Sequence, residues 1–254
     1  MPTTLIVLAH PNASSFNGSW ARATGDAAEK MGDQVLWSDL YALKFDPTEA
    51  SYHYGSAEMA TSFDPLKAQE AAFEAGELPS EVVEEVEKLI RADRVIFHFP
   101  LWWFAPPAML KGYFDRVFVH GCLHSVDRRF DTGRFRGKSA LMCVTTGASQ
   151  VESAFDGKEA DVDMLLWPTA YTLRYLGFEV LHPVVVHGVH GYHDDRSERE
   201  LRNRLNRVLD RHQNLLEDYD RLQRLKFNSD DDFDREGRLR KDKPSHSHFI
   251  RHEP

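Results

Sequence analysis

Three short stretches gather side chains able to hold or process a small molecule: AHPNASSFNGSW at 9–20, PLWWFAPP at 100–107 and TTGASQ at 145–150. The first carries His10, Asn12, Ser14, Ser15, Asn17 and Ser19 just ahead of a helical pattern. Hydroxyls and amides beside the free N–H groups of a helix start suit a phosphate or diphosphate, although Ser15 or Asn17 would look the same as a simple helix cap. The third stretch, Thr145-Thr146-Gly147-Ala148, offers hydroxyls and a glycine that lets backbone N–H groups approach a ligand. It suits the carbonyls of a planar heterocycle, and a tight strand-to-helix turn would use the same residues. In the middle stretch, Trp102, Trp103 and Phe104 crowd between Pro100 and the pair Pro106-Pro107. Adjacent aromatics cannot all face one core from one element. Trp103 and Phe104 are therefore expected to wall a slot for a planar molecule, the alternative being surplus core aromatics.

These stretches matter together only if the fold brings them together. Strand-like apolar runs occur at 5–9, 34–38, 94–99, 139–145 and 178–186, with helical patterns near 17–31, 80–91, 106–118 and 161–176. The strands are nearly continuous in Ile, Val, Leu and Phe, the mark of parallel strands covered on both faces. Alternation with helices implies an open, doubly wound α/β sheet. Ligands of such sheets bind outside the carboxyl ends of the strands, which is where all three stretches begin. A phosphate site, a heterocycle site and an aromatic slot on one edge describe a flavin nucleotide with room for a flat substrate. No GxGxxG follows the first strand and no GxxxxGKS/T occurs, so neither a Rossmann fingerprint nor a Walker loop is present.

A last helix is marked by Leu201, Leu205, Val208, His212, Leu215, Tyr219 and Leu222, spaced by three and four. That stripe is expected to pack on the sheet, with a dimer seam as the alternative. Residues 40–79 hold no convincing strand, are partly helical around 66–75, and form an excursion of a length that often covers a site or partner. The reading divides the chain into a domain over 1–226 and a polar tail over 227–254, either disordered or an arm that wraps a neighbour.

Bulk properties narrow the function classes. The 254 residues carry a formal charge of −9. Residues 200–254 hold 13 Lys/Arg against 12 Asp/Glu, which leaves −10 on the rest. An acidic body repels a phosphate backbone, so nucleic acid is not the expected partner. Cys122 and Cys143 form no CxxC, and the apolar run of the N-terminus is short, so a reducing, cytoplasmic setting without membrane insertion is expected. His187, His190, His193 and Asp194 lie in a glycine-containing loop without a supporting cysteine, and no metal is expected there or at His246, His248 and His252.

The stretches LIVLAH (5–10), SFN (15–17), SDLYAL (38–43), DRVIFHFPLWWF (93–104), MLKGYFDRVF (109–118), TTGAS (145–149) and LLWP (165–168) carry a resemblance. In order and spacing, over residues 3 to 190, the chain resembles the flavodoxin-like NAD(P)H:quinone oxidoreductases. These are the mammalian quinone reductases and their bacterial relatives, including potassium-efflux ancillary flavoproteins. The resemblance implies a five-stranded parallel sheet of order 2-1-3-4-5, a homodimer, and FAD rather than FMN at the dimer interface. By position, His10, Ser15, Phe16, Asn17 and Ser19 would surround the FAD diphosphate. Pro100, Leu101, Trp102, Trp103 and Phe104 would line the isoalloxazine, with Thr145, Thr146, Gly147 and Ala148 on its pyrimidine side. NADH or NADPH and a quinone would alternate in the slot. An ancillary role on a transporter is the competing implication.

The chain also departs from the family. Ser153 and Glu159 stand where mammalian members have a tyrosine and a histidine that support the reduced flavin, and Trp102 replaces a glutamine beside it. His124 and Val126 replace two tyrosines of the substrate slot. The catalytic group is therefore open, with His124, Ser153 and Glu159 as candidates. His120 and His124 are expected near the slot, as proton donors or as ordinary helix-end residues. Glu159 is expected to point away from the ring or to pair with a cation.

Overall fold

The computed structural model describes residues 1–55 and 62–252. Strands β1 (Thr3–Leu8), β2 (Gln34–Asp39), β3 (Arg94–Pro100) and β4 (Ser139–Thr145) are parallel and adjacent in the order β2-β1-β3-β4. β5 (Glu179–Val180) continues that order on the far side of β4, and β6 (Val184–Val186) pairs with β4 further along. The sheet is flavodoxin-like. The run 178–186, read as one strand, is in fact two. Pro183 has no N–H to give the ladder, and the His182 N–H turns instead to Gln223 O at 2.7 Å. Leu225 N–H takes up Val180 O at 2.9 Å, so the chain beyond the last helix completes the edge.

Helices cover both faces, and strand residues alternate between them. Val95, Phe97 and Phe99 face a core shared with α3 (Ser80–Arg91), α4 (Ala108–Val117) and α5 (Val162–Tyr175). Ile96, Leu141 and Cys143 face the opposite layer, α1 (Phe16–Lys30) and α6 (Asp195–Glu217). The excursion after β2 carries α2 (Pro65–Ala75). Its first part is tied to α4 by the buried Arg116, which donates to Asp46 O at 2.8 Å and Glu81 Oε1 at 2.9 Å. Residues 56–61 of that excursion lie outside the described residues. The stretch after 226 runs over α5: Phe249 stacks on Trp167 at 4.5 Å, Trp167 on Tyr171 at 4.3 Å, and Asp230 N–H donates to Asp131 Oδ2 at 2.6 Å. Among the described residues, no helix is long and apolar enough to cross a membrane.

The stripe on α6 packs against α1 and the sheet, and a polar knot lies inside the contact. Trp20 Nε1–H donates to His212 Nδ1 at 2.9 Å, so His212 carries its proton on Nε2 and gives it to Thr24 Oγ1 at 2.6 Å. The same hydroxyl meets His98 Nε2 at 2.9 Å and Trp20 O at 3.1 Å. With the hydroxyl proton directed to Trp20 O, His98 donates through Nε2 and leaves only its acceptor Nδ1 without a partner. Every donor in the knot is then satisfied, but only while both rings are neutral. Protonated His212 would turn a second N–H against the indole.

Burial pushes His212 down to about 4 and His98 well below its ordinary value. Above about pH 6.5 folded and unfolded histidines are both neutral. As pH falls toward 4 the unfolded chain takes up protons that the native chain refuses, so stability drops, by up to about 3 kcal/mol from His212 alone. Urea unfolding at pH 7 and pH 5 should therefore differ by about 2 kcal/mol or more, and His212→Gln should remove part of that difference. Equal stabilities at the two pH values would contradict this role for the knot.

Candidate active site at the strand ends

Because β1, β3 and β4 are parallel neighbours, their exits lie side by side. Two hydrogen bonds join them. Asn17, in the first turn of α1, donates Nδ2–H to Thr145 Oγ1 at 2.8 Å, and Leu101 N–H donates to Thr145 O at 2.8 Å. The His10 and Trp102 rings lie 5.9 Å apart. The three stretches form one surface.

The first loop is organised from within. His10 Nδ1 lies 3.0 Å from Asn12 N and 3.1 Å from Asn12 O, so the Asn12 backbone holds the ring, and burial lowers the pKa of this histidine. Asn12 Oδ1 accepts Ser14 N–H at 2.8 Å, and Ser15 Oγ caps α1 by accepting Gly18 N–H at 3.2 Å. A side chain at Gly18 would meet Ala13 O at 2.2 Å, so glycine is needed for the loop to fold back on its helix. The N–H groups of Phe16 and Asn17 belong to the first helical turn, where no helix carbonyl can reach them. Asn17 Oδ1 is buried without a partner. Arg22 donates to Ala13 O at 2.8 Å and to Ser19 Oγ at 3.1 Å, which sets a cation against the loop. Sequence reasoning passed over Arg22, although Ser19 and Arg22 stand three apart on one helix face. Beside this loop, Ser14, Phe16 and Ser19 open on a cavity of about 530 Å³ whose far wall is α6 and residues 189–193. That wall was also missed, because the stripe on α6 reads as packing.

The aromatic stretch is a two-residue turn. Trp102 N–H donates to Ala105 O at 3.0 Å and Ala105 N–H to Trp102 O at 3.2 Å. Between them Trp103 and Phe104 have φ of +52° and +63°, the left-handed region that such turns usually fill with Asn or Gly. Each costs on the order of 1–3 kcal/mol. The conformation puts both rings outside the core: Trp103 is 93% exposed and Phe104 53%. The adjacent aromatics are display residues.

On the facing loop, Thr146 N–H donates to Val186 O, and Gly188 and Val189 donate to Ala148 O and Thr146 O at 2.8 and 2.9 Å. An added Cβ at Gly147 would meet nothing within 4 Å. Between this loop and the aromatic turn lies a cavity of about 290 Å³. Leu101, Trp103, Phe104, Thr146, Gly147, Ala148, Ser153, Glu159, Val162 and Leu165 line it. Glu159 is among the lining residues, and the neighbouring cation Lys158 pairs with Glu152 at 3.3 Å rather than with it.

His124 and Val126 are not brought to this cavity by their own chain. His124 lines a separate space of about 380 Å³ with Glu49, Gln69, Phe118 and Tyr175. His120 Nδ1 sits 3.8 Å from Glu70 Oε1, and its ring meets His124 edge-on at 5.2 Å. Val126 lines a third space of about 420 Å³ with Phe130, Tyr171 and Phe233. His190 and His193 stack at 3.8 Å on the rim of the cavity beside Ser14, while Asp194 caps α6 by accepting Ser197 N–H at 2.8 Å.

Known proteins are similar to this chain in sequence and fold. A family model described as flavodoxin-like fold matches residues 2–211. NAD(P)H dehydrogenase [quinone] 1 of Rattus norvegicus is 38% identical over 193 residues, covering 75% of this chain and 70% of the relative. The chain belongs to the flavodoxin-like NAD(P)H:quinone oxidoreductase family. Within that family, ribosyldihydronicotinamide dehydrogenase [quinone] of Mus musculus is 37% identical over 187 residues, or 73% of this chain and 81% of the relative. A candidate quinone reductase from Klebsiella pneumoniae superposes with a TM-score of 0.81 at 29% identity, covering 94% of both chains.

The turn geometry makes a prediction that no buried aromatic would share. Trp103→Gly removes left-handed strain and almost no packing, so it should stabilise the fold by about 0.5–1 kcal/mol. Thermal unfolding reads this directly. A loss of about 2 kcal/mol or more would mean that the indole is a packing residue.

Proposed function

We propose that this protein is an FAD-dependent NAD(P)H:quinone oxidoreductase. The observation that carries the reading is the cavity between the Trp103–Phe104 turn and the Thr146–Ala148 loop, with aromatic faces on one side and backbone on the other. Three features fit a flavin. Gly147 leaves open space where a side chain would stand, Asn17 Oδ1 is buried without a partner, and the first-turn N–H groups of α1 face the loop that Arg22 braces. The second cavity favours a dinucleotide over FMN. It adjoins Ser14 and Ser19, and the 188–189 segment bonded to the Thr146–Ala148 loop leads into its wall, so an adenosine half has somewhere to lie.

In this reading His10, Ser15, Phe16, Asn17 and Ser19 hold the diphosphate. Pro100, Leu101, Trp102, Trp103 and Phe104 support the ring, and Thr145, Thr146, Gly147 and Ala148 bond its pyrimidine edge. When bound, the flavin supplies two-electron hydride chemistry at N5. The protein's part is orientation and water exclusion: the Trp103–Phe104 wall aligns a flat nicotinamide or quinone for close approach. In this reading donor and acceptor take turns in the slot over the ring, with no ternary complex. Exposed apolar groups occur on the aromatic turn, at Trp103 (93%), and on the loop that carries Ser153, at Val151 (81%) and Phe155 (86%). Such a surface suits a second copy, whose His124 and Val126 would approach the substrate side of the cavity.

Isolated protein should reduce a soluble benzoquinone with NADH or NADPH, with saturation by both substrates and parallel double-reciprocal lines. Phe104→Ala should lower kcat/KM about tenfold or more, equivalent to about 1.4 kcal/mol, with flavin content retained. A variant that loses stability while its folded fraction turns over normally would place Phe104 in the core instead. Sedimentation at micromolar concentration should give about twice the chain mass of 29.2 kDa. A flavin-saturated monomer with full turnover would contradict the shared site.

A further inference from the structure

Glu159 is the one ionisable residue among those lining the cavity between the aromatic turn and the Thr146–Ala148 loop. Around it stand Ser153, Val162 and Leu165, and its nearest cation in sequence, Lys158, is engaged with Glu152. Among the described residues Glu159 has no ion-pair partner. The backbone of the loop that carries it is held in place. Glu159 N–H donates to Glu152 O at 3.0 Å, Val162 N–H donates to Ser153 O at 3.1 Å, and a side chain at Gly157 would meet Glu152 O at 2.2 Å. The loop closes on itself with Glu159 among the residues that line the cavity.

We propose that the Glu159 carboxylate sets the reduction potential of the bound ring, holding it low; this rests on the flavin reading above. A hydride brings two electrons and one proton, so the ring gains one negative charge unless a second proton follows from water. A carboxylate lining the cavity opposes that charge. Oxidised ring, with no added charge, is not opposed. The carboxylate therefore weakens binding of the reduced form relative to the oxidised form, which is what a lowered potential means. The functional consequence is a stronger donor: the reduced ring can pass electrons to planar acceptors of low potential, while uptake from the nicotinamide is driven less strongly.

The test is the midpoint potential of the flavin-loaded protein, titrated against a reference dye, for wild type, Glu159→Gln, Glu159→Ser and the charge-retaining Glu159→Asp. Either neutral variant should raise the potential by about 30 mV or more, a tenfold change for a two-electron couple. Glu159→Asp should stay near wild type. The serine variant stands in if glutamine fails to fold. Neutral variants that bind flavin at an unchanged or lower potential would overturn the role of Glu159 and leave the flavin reading intact. A wild-type chain that takes up no flavin would overturn both.

Discussion

The site depends on one constraint, the left-handed turn at Trp103 and Phe104. Two reciprocal hydrogen bonds between Trp102 and Ala105 close it, and Leu101 N–H anchors its entry to Thr145 O at the exit of β4. The backbone there is strained, and bulky residues normally avoid it. It persists because β3 is central: paired on both sides along its length, it cannot slide to relax its end. The sheet register thus fixes the strained loop, and the strained loop turns two rings out of the core toward Gly147. Moving those rings inward would relieve the turn and remove the wall of the cavity.

Much of this was legible in the chain before folding. Helices α1, α3, α4 and α5 fall where the 3.6-residue period puts them, and β1 to β4 where unbroken apolar runs do. The three stretches were recognisable because small polar residues, a glycine and crowded aromatics all directly followed strands. Other features were illegible for physical reasons. Left-handed turns are normally announced by Asn or Gly, so two aromatics in that conformation give no local signal. The break at Pro183 depends on a competing partner, Gln223, forty residues further on. The knot of Trp20, Thr24, His98 and His212 joins residues up to 192 positions apart, and pattern reading sees only a histidine in an apolar stripe. Glu159 is the sharpest case. Its place at the cavity wall follows from the closure of the 152–162 loop, held by backbone bonds from Glu159 to Glu152 and from Val162 to Ser153, which no local pattern announces.

The two layers of the fold divide the work. The α3–α4–α5 side backs the aromatic turn and supplies Val162 and Leu165 to its cavity, while the α1–α6 side builds the space beside the first loop. The polar knot holds α6 on α1, so the wall of that second space depends on two histidines remaining neutral. If the chain binds a flavin dinucleotide as proposed, binding of its far half would be linked to the packing of α6, whereas the ring site would depend on β3 and β4. A loosened α6 should weaken the dinucleotide more than a mononucleotide, since only the former reaches that wall.

The claim on which everything rests is that the three strand exits together hold one flavin dinucleotide. The most direct measurement is an absorbance spectrum of the purified protein followed by chromatography of the flavin released on denaturation. The predicted result is a flavin spectrum and released FAD, close to one per chain. A chain that stays colourless after incubation with both FAD and FMN would contradict the claim outright, and release of FMN alone would keep the ring site but remove the role of the cavity between α1 and α6.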